Sequence, residues 1–171
     1  DGAAPSAEAP VLPGALLPAA KAAPLPRRVL MTLDAVGGIW RYALDLARGM
    51  AEAGVETVFA GFGPPPAPEQ RAEAESIGRL SWHDEAPLDW LAPATGALAG
   101  VPPLLGELVA RHEVELAHLN LPSQAVGLAL PCPVVTVCHS CVVTWFRAVE
   151  GRPVPEDWRW HERRNGEGFR R

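Results

Sequence analysis

The sequence predicts an α/β domain: a Rossmann-like, doubly wound and mostly parallel sheet in three α/β/α layers, beginning near residue 27. Three observations predict it. Short β-branched or apolar runs, the pattern of strands buried on both faces, recur along the chain. Stretches of helical periodicity separate them, and strand–helix alternation is what a parallel sheet requires. Glycine and proline punctuate most of the changes of period.

Residues 1–26 are rich in Ala and Pro, carry little charge and show no alternation, so they read as a disordered tail. The run RVLMTL from Arg28 is the first strand. After the turn DAVGG, a helix follows in which Ile39, Ala43, Leu46, Ala47, Met50 and Ala53 share one face, with Gly54 placed to end it. VETVFAG is the second strand, stopped by FGPPPAP. PEQRAEAESIG is a polar helix with proline in its first turn, and RLSW a third strand. Beyond a loop containing PLDWL come the helix PPLLGELVARH, the strand VELAHLN, a short helix PSQAVGLAL and the strand CPVVTVCH. SCVVTWFRAV continues as helix or loop. PEDWRWHERRNGEGFRR opens as a helix with proline and two acids where they suit the dipole. The pattern stops within this last helix, with no strand after it. The expectation is a domain over 27–171 that is C-terminally truncated.

Bulk properties narrow the function. A chain of 171 residues suits one domain with a proper core, and 48% hydrophobic with 20% charged residues is ordinary for a soluble protein. A net charge of −5 offers no basic field for nucleic acid. No apolar run reaches the ~18 residues of a membrane span. VLPGALLPAA is broken by proline and has no basic lead, unlike a signal peptide. Three cysteines, an odd number, fit a reducing compartment, so a cytoplasmic location is expected.

In open α/β sheets, ligands bind beyond the carboxyl ends of the strands. Three loops there carry unusual residues. The first is Asp34–Gly38, whose Gly37 and Gly38 stand before a helix N-terminus and suit a phosphate or diphosphate; a plain tight turn is the other reading. Neither G-x-G-x-x-G nor a P-loop is present, which removes support for NAD- and ATP-type roles. The second loop is His118–Gln124, where one of Asn120 and Ser123 is expected to cap the short helix and the other to face the cleft. His118 belongs to the strand and reads as a satisfied core histidine. The third loop is Cys138-His139-Ser140-Cys141, with His139 placed to meet a ligand in the crevice.

The C-x-x-C spacing invites a redox or zinc reading. A thioredoxin-like unit needs two further strands, a helix and a cis-proline loop after its motif, and only 30 residues follow Cys141. Zinc lacks a second C-x-x-C or paired histidines, so no metal site is expected. Cys132, Cys138 and Cys141 read instead as small buried packing residues.

Taken together, VLMTLDAVGGIWRYALDLARGMAEAGVE, AHLNLPSQAVGL and PVVTVCHSCVVTWFRAVEGRPVPEDWRW resemble the N-terminal domain of glycosyltransferase family 4, the GT-B enzymes, over roughly residues 28–165. The resemblance implies a two-domain enzyme that transfers a sugar from a nucleotide-sugar donor with retention at the anomeric carbon and without a bound metal or other cofactor. It implies that Gly37 and Gly38 approach the donor and that His139 acts at the transferring sugar. Asp34, Asn120, Ser123 and Ser140 then fall on the acceptor side. The donor-gripping half that the family requires is not in the sequence, so the chain alone is expected to have little or no activity, pending a C-terminal half or partner chain. The competing reading is a non-catalytic module of the same fold that binds a sugar, a phosphate or a partner. Trp145, Trp158 and Trp160 fit either reading, packed in the domain's own core or exposed toward a missing interface.

Overall fold

The computed structural model describes residues 24–170; the expected tail lies largely outside them. Five strands form one parallel sheet: β1 (Arg28–Leu33), β2 (Glu56–Phe62), β3 (Arg79–His83), β4 (Leu116–Leu119) and β5 (Val134–Thr136), in the order β3-β2-β1-β4-β5. The helices are α1 (Gly38–Glu52), α2 (Pro68–Ile77), α3 (Val101–Arg111), α4 (Val142–Val149) and α5 (Arg159–Gly168). The Rossmann-like, doubly wound expectation holds. The strand order reverses between β1 and β4, which makes their carboxyl ends the topological switch point.

The sheet separates two apolar layers. Successive strand residues point to opposite faces, so Leu30, Ala60 and Phe62 pack under Leu105 and Leu108 of α3. Met31, Leu33 and Phe59 meet α1 and Ala74 of α2 on the other side. Burial on both faces explains why β1 and β2 read as unbroken apolar runs rather than alternating ones.

On α1 the sequence reading is corrected in part. The buried stripe is Trp40, Ala43, Leu44 and Ala47, while Ile39, Leu46 and Met50 are half-buried and Ala53 is exposed. The expected face was rotated because it omitted Trp40, whose ring lies 6.4 Å from that of Trp82. Trp82 in turn lies across Gly61, its register partner on β2; a Cβ on Gly61 would stand 2.0 Å from the indole. Glycine is required there by the tryptophan, not by its backbone angles.

Two further expectations change. The segment after β4 is not a helix through residue 130 but one 3-10 turn, Pro122–Ala125. The loop with PLDWL forms two 3-10 turns, Asp89–Leu91 and Thr95–Leu98. The last helix turns back onto the Pro122 turn. Gly168 sits so close that a Cβ would meet the Pro122 carbonyl oxygen at 1.9 Å. Arg164 donates from Nε to the Ser123 carbonyl at 3.0 Å and from Nη1 to Thr95 Oγ1 at 3.0 Å. No helix among the described residues is long and apolar enough to cross a membrane.

The contact at Gly168 is backbone on backbone, so it has little room to relax. Gly168→Ala is expected to lower stability by about 1–3 kcal/mol in urea unfolding, the usual cost of overpacking. An unchanged midpoint would show that α5 is not held against the Pro122 turn.

Candidate functional site

The site grows from the place where β1 and β4 part. Their backbone register ends at Met31 opposite His118. One residue further, side chains take over the hydrogen bonds. Thr32 Oγ1 accepts the Asn120 N–H at 2.8 Å and donates to Gln124 Oε1 at 2.7 Å. Asn120 Nδ2 donates to the Thr32 carbonyl at 2.5 Å. All three side chains are buried. Asn120 therefore does not cap the following turn, and neither does Ser123; that turn has no side-chain cap.

The remaining Asn120 atom, Oδ1, faces His139 Nε2 at 2.9 Å. Because the Thr32 carbonyl fixes which end of the amide is Nδ2, Oδ1 can only accept, and His139 Nε2 must carry a proton. His139 lies in the loop beyond β5 rather than at the strand end; the residue is exposed, but its ring is part-buried where it meets Asn120. Tyr42 of α1 packs edge-on against it, with ring centroids 4.3 Å apart and planes at 67°. Burial pushes the His139 pKa below the ordinary imidazole value, and Asp34 opposes that shift. The shift favours the neutral ring, in which Nδ1 is an acceptor with no partner among the described residues. His118 is buried as expected but only partly satisfied. Its Nε2 stands 3.4 Å from the Tyr42 hydroxyl, and its Nδ1 has no partner among the described residues.

The glycine loop is shaped by Asp34, which is buried. Its Oδ1 accepts the N–H groups of Val36 at 2.9 Å and Gly37 at 3.2 Å, an Asx-type turn. Gly37 is extended (φ −137°, ψ −158°), so its backbone does not demand glycine. Nothing lies within 4 Å of a Cβ built on Gly37 or Gly38, so packing does not demand glycine either. What the two glycines leave is open space over the N-terminus of α1, which has no side-chain cap and no acid in its first turn. Asp34 takes the Gly37 N–H and the Gly37 carbonyl takes that of Trp40, so the Gly38 and Ile39 N–H groups, which have no partner within the helix, and the positive dipole end are what this end offers a ligand.

Asp34, Gly37, Gly38, Asn120 and His139 thus come together at the switch point. Ser123 and Ser140 face elsewhere. Ser123 Oγ is buried without a partner among the described residues, and Ser123 lines a small cavity with Asp89 and Arg164. Ser140 lines a larger cavity walled by aromatic rings. Thr32, Gln124 and Tyr42 were missed in the sequence; a polar Thr inside an apolar strand run was the available signal.

The three cysteines are free and half-buried rather than fully buried, and Cys132 packs against the core. Burial raises the thiol pKa of Cys132 and, helped by the neighbouring Cys141, that of Cys138. Both shifts run opposite to what a reactive thiolate needs. No group of three or more His, Cys, Asp or Glu side chains among the described residues is placed to hold a metal ion.

A parallel sheet in this order, with its polar cluster and open helix N-terminus at the switch point, defines a Rossmann-like α/β domain. The family model Glycosyltransferase Family 4 matches residues 36–170. The chain belongs to that family. Among solved structures it is similar to a glycosyltransferase from Rickettsia africae ESF-5, at 13% identity and a TM-score of 0.48. That match covers 71% of this chain and 34% of the other, so the chain spans about a third of that protein's length. It is also similar to a universal stress protein in complex with cAMP, at 13% identity and a TM-score of 0.39, covering 67% of this chain and 99% of the other. No curated protein matches the sequence.

Asn120→Asp places a carboxylate against His139 Nε2 and favours the imidazolium. The His139 pKa is expected to rise by roughly 1 to 3 pH units, so the ring stays charged to higher pH than in the parent. NMR titration of its Cε1–H reads this directly. An unshifted titration would mean that Asn120 and His139 are not in contact.

Proposed function

We propose that the chain is the acceptor-side domain of a glycosyltransferase that uses a nucleotide-sugar donor. The observation that carries the reading is the pair Gly37–Gly38, which neither backbone angles nor packing explain, at an uncapped helix N-terminus beside His139. Such a surface suits a diphosphate: backbone N–H groups and the dipole end stabilise the charge that grows on the leaving group. Family membership supports sugar transfer as the chemistry.

In this reading Asn120 positions His139, holding the proton on Nε2 and leaving Nδ1 to accept a hydroxyl of the transferring sugar. Asp34 shapes the glycine loop and stabilises His139 if it becomes charged during the reaction. Transfer proceeds with retention and without a bound metal, as the family resemblance implies. Because the chain spans about a third of the Rickettsia enzyme, the donor's nucleotide and full turnover are assigned to the whole enzyme, and the isolated chain is expected to bind donor weakly and turn over little.

Two substitutions test this. Gly38→Ala at the first position of α1 is expected to leave stability unchanged or raise it by up to about 1 kcal/mol. It should nevertheless weaken binding of UDP-, GDP- or ADP-linked hexoses at least tenfold, because a methyl then fills the approach to the helix N-terminus. His139→Ala, in a form of the protein that transfers sugar, should lower turnover more than tenfold with the fold intact. Donor binding indifferent to Gly38→Ala, or turnover indifferent to His139→Ala, would remove that residue from the mechanism.

A further inference from the structure

We infer that the aromatic cavity beside His139 is a binding site for a neutral cyclic polyol, with Asp89 as its hydrogen-bond acceptor and the tryptophans as its stacking wall. The cavity measures about 320 Å3, and Asp89, Trp90, Ser140, Trp145, Phe146 and Trp158 are among the residues that line it. That volume falls within the ordinary range for small-ligand sites, as does an apolar wall with few polar groups.

The rings are fixed rather than loosely exposed. Phe146 stands edge-on to Trp145 at 5.3 Å and to Trp158 at 5.9 Å. Trp158 stacks on His161 at 5.3 Å, and His161 on Trp160 at 3.6 Å. Trp158 and Trp160 are therefore half-buried in one ladder, while Trp145 remains 44% exposed at the cavity mouth.

Asp89 decides the ligand. It is 4% exposed and lines the cavity, and the positive charge beside it comes from Arg164. Arg164 shares the small neighbouring cavity with Asp89, but its guanidinium donates to the Ser123 carbonyl and to Thr95. A carboxylate on the wall of this cavity can only accept hydrogen bonds, so a ligand that displaces its water is favoured if it donates to it. A purely apolar ligand would displace water from Asp89 and return nothing. A cation would satisfy both the carboxylate and the rings, yet Arg164 already supplies positive charge beside Asp89. A cyclic polyol meets every demand: its C–H face packs on indole, adjacent hydroxyls donate to the carboxylate, and the Ser140 hydroxyl reaches a further one. Ser140 directly follows His139, so the bound ring lies next to the proposed reaction centre. Its identification with the sugar acceptor rests on the transfer reading above.

The test needs no donor. The chain is titrated with methyl α-D-glucopyranoside, methyl α-D-mannopyranoside and methyl β-D-galactopyranoside, and separately with tetramethylammonium and with cyclohexanol. Tryptophan fluorescence and saturation-transfer NMR give the readouts. At least one glycoside is expected to bind saturably in the millimolar range, with transfer to its C–H protons. Asp89→Asn and Trp145→Ala should each weaken it at least fivefold, with far-UV CD unchanged; Trp145 is exposed enough to be replaced without loss of fold. The proposal is overturned if no glycoside binds, if binding survives both substitutions, or if only tetramethylammonium or cyclohexanol saturates the site. Glycoside binding without any donor binding would sink the transfer reading and leave this site standing. Donor binding without glycoside binding would do the reverse.

Discussion

The arrangement at the switch point depends on one exchange of hydrogen bonds between Thr32 and Asn120. Beyond Met31 and His118 the ladder between β1 and β4 stops, and buried backbone groups there must still be paired. Thr32 Oγ1 takes the Asn120 N–H, Asn120 Nδ2 takes the Thr32 carbonyl, and Gln124 accepts the threonine proton. The Thr32 carbonyl and the Asn120 N–H therefore stay paired where the two strands diverge, and a crevice opens between their loops. A satisfied buried network of this kind is rigid, because each lost bond leaves its partner unpaired. The spare Asn120 oxygen carries that rigidity out to His139, an exposed loop residue that would otherwise choose its own rotamer.

The second support comes from the far end of the chain. Through Gly168 and Arg164, α5 clamps the Pro122–Ala125 turn, the same turn that holds Gln124 against Thr32. It also contributes His161, on which Trp158 stacks to form the aromatic wall. The polar crevice and the aromatic cavity thus share one scaffold and meet at the loop that carries His139 and Ser140.

Much of this was legible in the sequence. Unbroken apolar runs alternating with helical periods gave the parallel sheet, and strand ends marked where to look, so Gly37, Gly38, Asn120 and His139 could be named. The partnerships could not. One of Asn120 and Ser123 was expected to cap the next element, because both residue types commonly cap helices, but that element is a single turn with no side-chain cap and Asn120 pairs with Thr32 instead. Asp89 passed as a loop residue in PLDWL, since the side chains that share its cavities, Trp145 and Phe146 of α4 and Arg164 of α5, lie more than fifty residues away. Local pattern reports which face of an element is apolar; it does not report which distant side chain completes a hydrogen bond.

The central claim is that the crevice between β1 and β4 receives the nucleotide-sugar. Chemical-shift mapping of the 15N-labelled chain during titration with UDP-, GDP- and ADP-linked hexoses tests it most directly. The expected perturbations cluster at the amides of Gly37, Gly38, Tyr42 and Asn120 and at the His139 ring. Perturbations confined to the opposite end of the sheet, around Arg28, Glu56 and Glu115, would contradict it.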